Sequence, residues 1–297
     1  MNRGRLAAMV AVAVSIASGP AKLAAFPDYL GSRGLGMGGA GRADARGEEG
    51  PLLNPAGMSL ARVYTVEGGY QHINRDLGYL AHASVVDSTS AFNLAGGFFY
   101  TYRSASLPGG GHLTGHEPGL ALSFPFGERE LLGISGKYLH TSGGAGELDG
   151  RNSHSGITAD AGVIVRASSI LTIGVAGYNL HDLSTIQAPV GLGYGLALNP
   201  MPDLVIAVDG LHDFTTTDPS HGVTTTVGGG AEYILQHRVV FRAGGGRDGH
   251  LGHGYVSAGL VGLSELGAVD FGFRQDVSGD QRLTFLAVGL RLFVPQP

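Results

Sequence analysis

The segment Pro189–Leu198, PVGLGYGLAL, shows most clearly how this chain folds. Large side chains stand at every second position, and glycine or alanine stands between them. The large ones are Val190, Leu192, Tyr194, Leu196 and Leu198. A period of two residues is that of a β-strand, whose side chains point alternately to two faces. The segment therefore predicts a strand with one apolar face and one face of small residues.

The same alternation recurs from Arg62 onward, in segments bounded by Gly-, Pro- or Asp-rich connections. An even number of strands of about ten residues is typical of an outer-membrane barrel. The sequence therefore predicts an all-β fold, a transmembrane antiparallel β-barrel of about 14 strands over residues 62–297. The predicted strands are 62–71, 79–86, 91–102, 117–126, 131–141, 154–166, 170–180, 189–198, 204–211, 224–234, 238–246, 252–262, 266–275 and 282–294.

The connections distinguish a membrane barrel from a soluble β-sandwich, which would also alternate. The odd-numbered connections are the longer ones, at 72–78, 103–116, 142–153, 181–188, 212–223, 247–251 and 276–281. The even-numbered ones are tight, at 87–90, 127–130, 167–169, 199–203, 235–237 and 263–265. Short periplasmic turns that alternate with longer outer loops are typical of membrane barrels. Aromatic residues near the predicted strand ends fit interfacial girdles: Tyr64, Tyr70, Tyr79, Phe124, Phe126, Tyr233 and Tyr255.

The composition excludes several classes of protein. The 297 residues include 52 glycines and no cysteine, and only 14% are charged. Without cysteine there is no disulfide scaffold, zinc-thiolate site or cysteine nucleophile. A hydrophobic content of 43% argues against disorder. The net charge of −5, with Lys22 and Lys137 as the only lysines, gives no reason to expect a nucleic-acid partner.

The N-terminus has the order of a secretory signal peptide. Arg3 and Arg5 precede the uncharged stretch Leu6–Ala21, and small residues follow up to Ala25. We predict cleavage after Ala25, which removes residues 1–25 with three basic residues and no acidic one. The remaining chain has 16 basic and 24 acidic residues. The predicted location is the outer membrane of a Gram-negative bacterium, in contact with outer-membrane lipid.

Charged residues within the predicted strands fall on the inner face when the apolar face is taken as outward. They are Glu67, Lys137, Asp160, Arg166, Asp209, Glu232, Arg242, Asp270 and Arg274. A charge on the lipid face at mid-depth costs about 2 to 4 kcal/mol, so this placement supports the barrel. Five acids and four bases predict a lumen charge network across a narrow or blocked interior. In the last strand the same parity turns Arg291 and Phe293 inward.

The stretch Gly31–Met58, GSRGLGMGGAGRADARGEEGPLLNPAGM, precedes the first strand. Gly34, Gly36 and Gly39 match the dinucleotide pattern G-x-G-x-x-G, but no hydrophobic strand precedes them and no regular helix follows. Two interpretations remain, a flexible periplasmic linker and a compact plug in the barrel. In the plug, glycine permits close backbone packing and Asn54-Pro55 fixes a turn. We predict an N-terminal hatch over residues 26–61, with Gly36, Gly38, Gly39, Asn54 and Pro55 as its characteristic residues.

The Gly-rich run that ends in Asn54-Pro55-Ala56 resembles the N-terminus of the FadL-type fatty-acid transporters and the related PorV-type outer-membrane proteins. Further motifs are closer to the PorV type: Tyr178-Asn179-Leu180 before 189–194, Ala231-Glu232-Tyr233 before Phe241-Arg242-Ala243-Gly244, and Gly279-Asp280-Gln281-Arg282. The resemblance covers nearly the whole mature chain. It implies a fourteen-stranded barrel with an N-terminal hatch.

Two functions follow from this resemblance. The PorV-like motifs favour a non-enzymatic subunit or scaffold of an envelope assembly, of the secretion or gliding-motility type, with protein partners. The alternative is a FadL-like transporter of small hydrophobic solutes, with a small hydrophobic ligand. FadL-type transporters are longer and have large outer loops, whereas the longest loop here, 103–116, has only Leu107 and Leu113 as large aliphatic residues. This difference favours the assembly subunit.

Catalytic and metal sites have little support in the sequence. There is no G-x-S-x-G motif, and neither His181-Asp182 nor His212-Asp213 has an identifiable partner serine. The pairs His112/His116 and His250/His253 lack nearby ligands at fixed spacing. The sequence therefore predicts no enzyme activity, no catalytic residue, no metal and no cofactor.

Overall fold

The computed structural model describes residues 28–74, 77–89, 93–106, 111–143, 153–185, 187–214, 223–279 and 282–294. The predicted signal peptide, residues 1–25, lies outside these ranges. None of the helices within them has the length and apolar character needed to cross a membrane.

Fourteen antiparallel strands form one closed barrel. Each strand pairs with its neighbours in sequence, and β1 pairs with β14 to close the sheet. The fold class predicted from the alternation is confirmed. The strands, β1 to β14 in order, are Tyr64–Ile73, Gly78–Asp87, Ala95–Ser106, His112–Pro125, Glu130–Ser142, Ser153–Arg166, Leu171–Tyr178, Gly191–Met201, Leu204–Asp213, Thr224–Leu235, Val239–Arg247, Gly254–Leu263, Gly267–Asp276 and Thr284–Phe293.

The two faces of the sheet differ as the parity of the sequence predicts. In β14, Leu286, Val288, Leu290 and Leu292 are each about half exposed on the outer face. Arg291, between them in sequence, points inward and donates from Nε to Glu67 Oε2 of β1 at 2.9 Å. An apolar outer band around a polar interior is the pattern of barrels that sit in lipid.

Strands β3 and β4 extend further than predicted. The sequence predicted a loop over 103–116, but β3 continues to Ser106 and β4 begins at His112. The error has a physical cause, because Arg103 and Glu117 lie inside the barrel and form a buried ion pair of 3.0 Å. Polar residues that face a lumen interrupt the hydrophobic pattern, so these strand ends resembled a loop in the sequence.

Because consecutive strands are antiparallel, all odd-numbered connections lie at one end of the barrel, the loop end, and all even-numbered ones at the other, the short-turn end. As predicted, the connections at the loop end are longer than those at the short-turn end, except for the first connection at each end. The connection 74–77 at the loop end has four residues, and the connection 88–94 at the short-turn end has seven.

The predicted aromatic girdle needs one correction. Tyr70, Phe124, Phe126 and Tyr233 each expose at least 40% of their surface. Tyr255 instead points into the lumen, where its hydroxyl donates to the carbonyl of Gly38 at 2.9 Å. Tyr255 was predicted to be in the girdle because it lies near the end of β12. Its position in the alternation of that strand is what indicates that the side chain faces the lumen.

Candidate functional site

Residues 28–61, here called the luminal segment, lie inside the barrel. They form α1 (Gly31–Gly36), a 3₁₀ turn (Gly47–Glu49), α2 (Gly50–Leu53) and a 3₁₀ helix (Pro55–Leu60). Helix α1 packs against β12, β13 and β14, and the helix Pro55–Leu60 packs against β4, β5 and β6 on the opposite wall. The segment therefore spans the lumen from wall to wall.

The luminal segment also runs along the barrel axis. Near its start, the amide of Leu30 donates to Gln71 Oε1 at 3.2 Å, close to the loop end of β1. Near its finish, the carbonyl of Leu60 accepts from Arg166 Nη2 at 3.4 Å, at the short-turn end of β6. Arg166, one of the predicted lumen charges, thus binds the luminal segment through a backbone carbonyl.

Glycine allows the segment to approach the barrel wall closely. A Cβ on Gly36 would come within 3.1 Å of Gly259 Cα. Gly38 has φ of +67°, and a Cβ there would lie 2.6 Å from both the carbonyl oxygen of Gly229 and the amide nitrogen of Gly245. Neither position accepts a larger residue without a shift of backbone. Gly39 has φ of +75° and needs glycine for its conformation more than for space.

Asn54 and Pro55 form the turn that leads into the 3₁₀ helix. Asn54 Oδ1 accepts from the amide of Ala56 at 3.2 Å, which caps that helix. Its Nδ2 donates to the carbonyl of Arg42 at 2.9 Å and lies 3.3 Å from the carbonyl of Val163. One fully buried amide thus joins two parts of the segment to the wall.

Arg33 is the centre of a network of buried ion pairs. Its guanidinium contacts Glu49 at 2.7 Å, Asp44 at 2.9 Å and Glu232 of β10 at 3.0 Å. Glu232 also accepts from Arg242 at 2.6 Å. Arg242 in turn contacts Asp270 at 2.9 Å. The chain of charges therefore links α1 to β10, β11 and β13 of the wall.

A second ion pair holds the middle of the segment. Asp209 Oδ2 of β9 accepts from the amides of Gly41 and Arg42 at 2.9 and 2.8 Å, and from Arg42 Nη1 at 3.2 Å. Arg42 Nε also donates to the hydroxyl of Tyr178 at 2.8 Å. Asp209 is one of the predicted lumen charges, and in the structure it binds the backbone amides of Gly41 and Arg42 in the luminal segment.

The other predicted lumen charges form separate pairs. Lys137 contacts Asp160 at 2.9 Å across β5 and β6. Arg274 binds two aspartates outside the predicted set. It contacts Asp248, beyond the end of β11, at 2.9 Å and Asp276, two residues along its own strand, at 3.1 Å.

The luminal segment itself contributes buried charges that were not predicted from the sequence. These residues are Arg33, Arg42, Asp44 and Glu49, all nearly inaccessible to solvent. In the sequence they stand in a glycine-rich stretch with no periodicity, so no face could be assigned to them. The one available signal is that charged residues in a proposed plug must meet partners inside the barrel.

An internal cavity of about 130 Å³ lies between the luminal segment and the loop end. The segment contributes Gly38, Gly39 and Arg42 to its lining. The wall contributes Asp209, Asp213, Tyr255 and Arg274, among others. For comparison, an apolar cavity of about 150 Å³ binds benzene. The cavity here is therefore close in size to a single aromatic ring, and its lining is partly charged.

The connection from Asp248 to His253, here called the inner loop, borders this cavity. Leu251 is buried in a cluster with residues of the luminal segment and the wall. His250 Nε2 lies 3.3 Å from Asp213 Oδ2, and His253 Nδ1 lies 2.9 Å from Asp276 Oδ2. Burial raises the pKa of Asp248, but the charge of Arg274 and the amide of Leu251 outweigh it and leave that pKa below its usual value.

Metal coordination finds no geometric basis in the part of the chain that the structure describes. No three His, Cys, Asp or Glu residues come together there as a possible ligand set. His112 and His116, paired in the sequence, contact Ser104 and Tyr100.

The fold is shared with solved outer-membrane channels. The toluene transporter TodX of P. putida aligns with a TM-score of 0.73 and 11% identity, over 90% of this chain and 99% of that chain. The toluene transporter TbuX of Ralstonia pickettii gives 0.68 and 13%, over 89% and 98%. A Pseudomonas aeruginosa FadL homologue gives 0.65 and 11%, over 88% and 98%. No protein-family model and no curated protein matches the chain.

These comparisons define the class as closed fourteen-stranded barrels of the FadL structural type. They support the FadL side of the resemblance seen in the sequence and give no support to the PorV side. An envelope-assembly subunit of the secretion or gliding-motility type, the favoured interpretation of the sequence, therefore has no support. The neighbours are described as transporters and channels, not as enzymes.

Proposed function

We propose that this protein is a FadL-like transporter of small hydrophobic solutes, located in the outer membrane of a Gram-negative bacterium and exported by the signal peptide predicted over residues 1–25. The observation that carries the proposal is a lumen that is occupied yet retains a ring-sized cavity. A wide porin pore would leave the interior open to water, whereas here the luminal segment crosses it from wall to wall. The structural neighbours support the same conclusion because two are described as toluene transporters.

In this proposal the luminal segment, within the predicted domain 26–61, is a hatch. The cavity lies on its loop-end side, where a solute from outside arrives. Gly36 and Gly38 lie too close to the wall for a solute to pass between them and the strands. Passage toward the short-turn end therefore requires the segment to shift, and the ion pairs of Arg33 and Arg42 oppose that shift.

The apolar outer surface supports the proposed location. Large aliphatic and aromatic side chains are exposed on strands all around the barrel, among them Leu120, Ile134, Val208, Phe241 and Phe271. Exposed apolar surface of this extent is costly in water and is satisfied by lipid. Outer-membrane lipid is accordingly the proposed surroundings of the barrel.

Uptake of a labelled lipophile tests the function directly. We expect cells that produce the protein to accumulate radiolabelled toluene faster than cells without it, when both are measured within seconds of mixing. The matched control is the Asp203→Asn variant, changed only at an exposed turn of the short-turn end. Equal initial rates with and without the protein would contradict the proposal. A rate that rises equally for a hydrophilic sugar would also contradict it, because the barrel would then be an open pore.

A further inference from the structure

A row of aromatic rings crosses the outside of the barrel near the loop end. This row, here called the His–Tyr row, consists of Tyr70, Tyr79, Tyr102, His116 and His140, one residue on each of the strands β1 to β5. Neighbouring ring centroids are 5.6, 6.0, 5.2 and 6.4 Å apart, in that order. In the strand register Tyr102 lies opposite His116, and His116 lies opposite His140. The row therefore follows five neighbouring strands without interruption.

The alternation of the strands places the His–Tyr row on the outer face. Glu117 and Leu139, which adjoin the two histidines in sequence, are buried on the inner face. Leu120 and Ile134, which share the parity of the histidines, each expose more than half of their surface. The row therefore continues the apolar outer surface toward the loop end.

The distance of the row from the short-turn end matches the height of the apolar band of a membrane barrel. His116 lies ten residues before Phe126, an exposed aromatic residue at the short-turn end. At about 3.4 Å per residue and a strand tilt of about 40°, this separation is about 26 Å along the barrel axis. The apolar band of such barrels is about 25 Å tall. The His–Tyr row therefore lies at the level of the lipid headgroups when the barrel is in a membrane.

His116 and His140 each use one ring nitrogen within the protein. His116 Nδ1 lies 2.7 Å from the hydroxyl of Tyr100, and His140 Nδ1 lies 2.6 Å from the hydroxyl of Ser155. When these hydroxyls donate, the proton of each neutral imidazole is on Nε2. Neither Nε2 has a hydrogen-bond partner among the residues that the structure describes. The pair therefore presents two N–H donors to its surroundings.

The arrangement of this pair suits an anion with several oxygens. The ring planes are 27° apart, so the two rings stand side by side and their N–H groups can donate to different oxygens of one phosphate. Near the loop end, the outward positions of the described strands β3 to β6 include serine, threonine and tyrosine and no carboxylate. An anion at the pair therefore meets donors and hydroxyl groups without like-charge repulsion from these positions.

We propose that His116 and His140 bind a phosphate group in the headgroup of a lipid in the leaflet at the loop end. The tyrosines of the row contact the adjoining part of the headgroup, and the acyl chains lie against the apolar band. This inference rests on the proposed location in the outer membrane and does not depend on the transported solute. Since the loop end is predicted to face the exterior, the partner is a phosphorylated lipid of the outer leaflet.

Native mass spectrometry of the full chain, released from detergent micelles, measures the binding of lipid A that carries two phosphates. The double variant His116→Phe/His140→Phe keeps both rings and removes their nitrogens. We expect it to bind this lipid about tenfold more weakly than the wild type, because two charge-assisted hydrogen bonds are lost. Lipid A without phosphates should bind the wild type and the variant equally weakly. Equal affinity of the two proteins for the phosphorylated lipid would overturn the inference.

His212 provides a matched control at the same end of the barrel. Its Nδ1 lies 2.9 Å from the hydroxyl of Thr225 and its Nε2 lies 3.2 Å from the hydroxyl of Tyr194, so both ring nitrogens are engaged. His212→Phe should therefore keep the wild-type affinity for lipid A. An equal loss of affinity in His212→Phe and in the double variant would overturn the inference, because the paired donors would then have no special role.

Two further measurements complete the test. Inorganic phosphate in tenfold molar excess should leave lipid A bound, and its complete displacement would overturn the assignment to a lipid in favour of a free anion. The heat-modifiable gel shift shows whether each variant folds. If the double variant does not fold, the single variants His116→Phe and His140→Phe give the same comparison, and wild-type affinity in both would overturn the inference.

Discussion

At the scale of single residues, buried charges decide how the interior is held together. Arg33 contacts three carboxylates, and one of these, Glu232, is shared with Arg242. Taking a charge out of water costs several kcal/mol, and close partners offset that cost. Removing one member therefore costs more than the pair contributes, because the remaining partner is left buried and uncompensated.

Arg242→Leu tests this network at the wall. The substitution leaves Asp270 and Glu232 without a shared partner, and we expect a loss of about 3 kcal/mol or more in stability. The heat-modifiable gel shift of the barrel should move to a lower temperature. Arg129→Leu, in the exposed turn between β4 and β5, is the control and should leave the transition unchanged. If Arg242→Leu also left the transition unchanged, the charges would be exposed to water in an open lumen.

Alanine substitutions at Gly38 and Gly252 distinguish the cost of backbone strain from the cost of steric contact. Gly38 and Gly252 have nearly the same φ, +67° and +68°, so alanine is strained by a similar amount at both. A Cβ at Gly38 meets backbone at 2.6 Å, while one at Gly252 meets nothing within 4 Å. We expect Gly252→Ala to cost about 1 kcal/mol. Gly38→Ala should cost about 1 to 3 kcal/mol more.

Thermal unfolding of the two alanine variants, followed by the gel shift, gives the comparison. Limited proteolysis shows whether the luminal segment is displaced, and we expect faster cleavage only in Gly38→Ala. Equal destabilisation of the two variants would mean that the segment does not pack against β10 and β11 as described.

At the scale of elements, the inner loop is held by charges that respond to pH. The pKa of Asp248 is lowered in the folded protein, so its contribution to stability is present above the usual aspartate pKa of about 4. The contribution is lost as the pH falls through the lowered value.

We therefore expect the inner loop to stay closed from pH 7 to about pH 4.5 and to open only below pH 4. Hydrogen exchange of the amides of His250 and Leu251, which donate to Asp248, reports this opening. After correction for the intrinsic pH dependence of exchange, protection should be constant across the upper range. Asp182→Asn, in another loop of the same end, serves as the control. Loss of protection already near pH 6 would contradict the role given to Asp248.

The luminal segment is the element that decides conductance. In planar bilayers we expect little or no steady current from the intact protein, because the segment fills the lumen. Deletion of residues 31–50, with Asn54 and Pro55 retained, should open measurable channels. A retained heat-modifiable shift shows that the barrel still folds. Equal conductance before and after deletion would mean that the segment does not obstruct the lumen in the membrane.

At the scale of the whole molecule, the two ends of the barrel fix its orientation. The longer connections predict that the loop end faces the exterior and the short-turn end faces the periplasm. Val223→Cys and Glu128→Cys place a single thiol at each end of this cysteine-free chain, at exposed positions. An impermeant thiol reagent applied to intact cells should label Val223→Cys only, and both variants after lysis. Labelling of Glu128→Cys alone would reverse the assignment.

Much of the barrel was predictable because the side chains of a strand alternate between its two faces with a period of two residues. The nine lumen charges are predicted from that parity, and Asp209 and Glu232 among them bind the luminal segment. The limits of strands were less predictable where both faces are polar, as at Arg103 and Glu117. Tyr255 was misplaced for a related reason, because an aromatic residue near a strand end suits either face.

The interior was much harder to predict than the wall. Contacts such as Arg33 with Glu232 join residues 199 positions apart, and nothing in a glycine-rich stretch without periodicity indicates which strand it will meet. The cavity has the same origin, since its lining combines the luminal segment, β9, the inner loop, β12 and β13. Such a site exists only after the chain has closed, so pattern alone could not reveal it.

The position of the luminal segment also has a consequence for biogenesis. The segment precedes β1 in the chain, yet it contacts β12, β13 and β14, the last strands to be synthesised. Burial of the segment therefore waits for these last strands, because its contacts with them cannot form earlier. Such contacts join residues far apart in sequence and are intrinsically slow to form. Folding of this barrel should thus be limited in rate by enclosure of its own N-terminus.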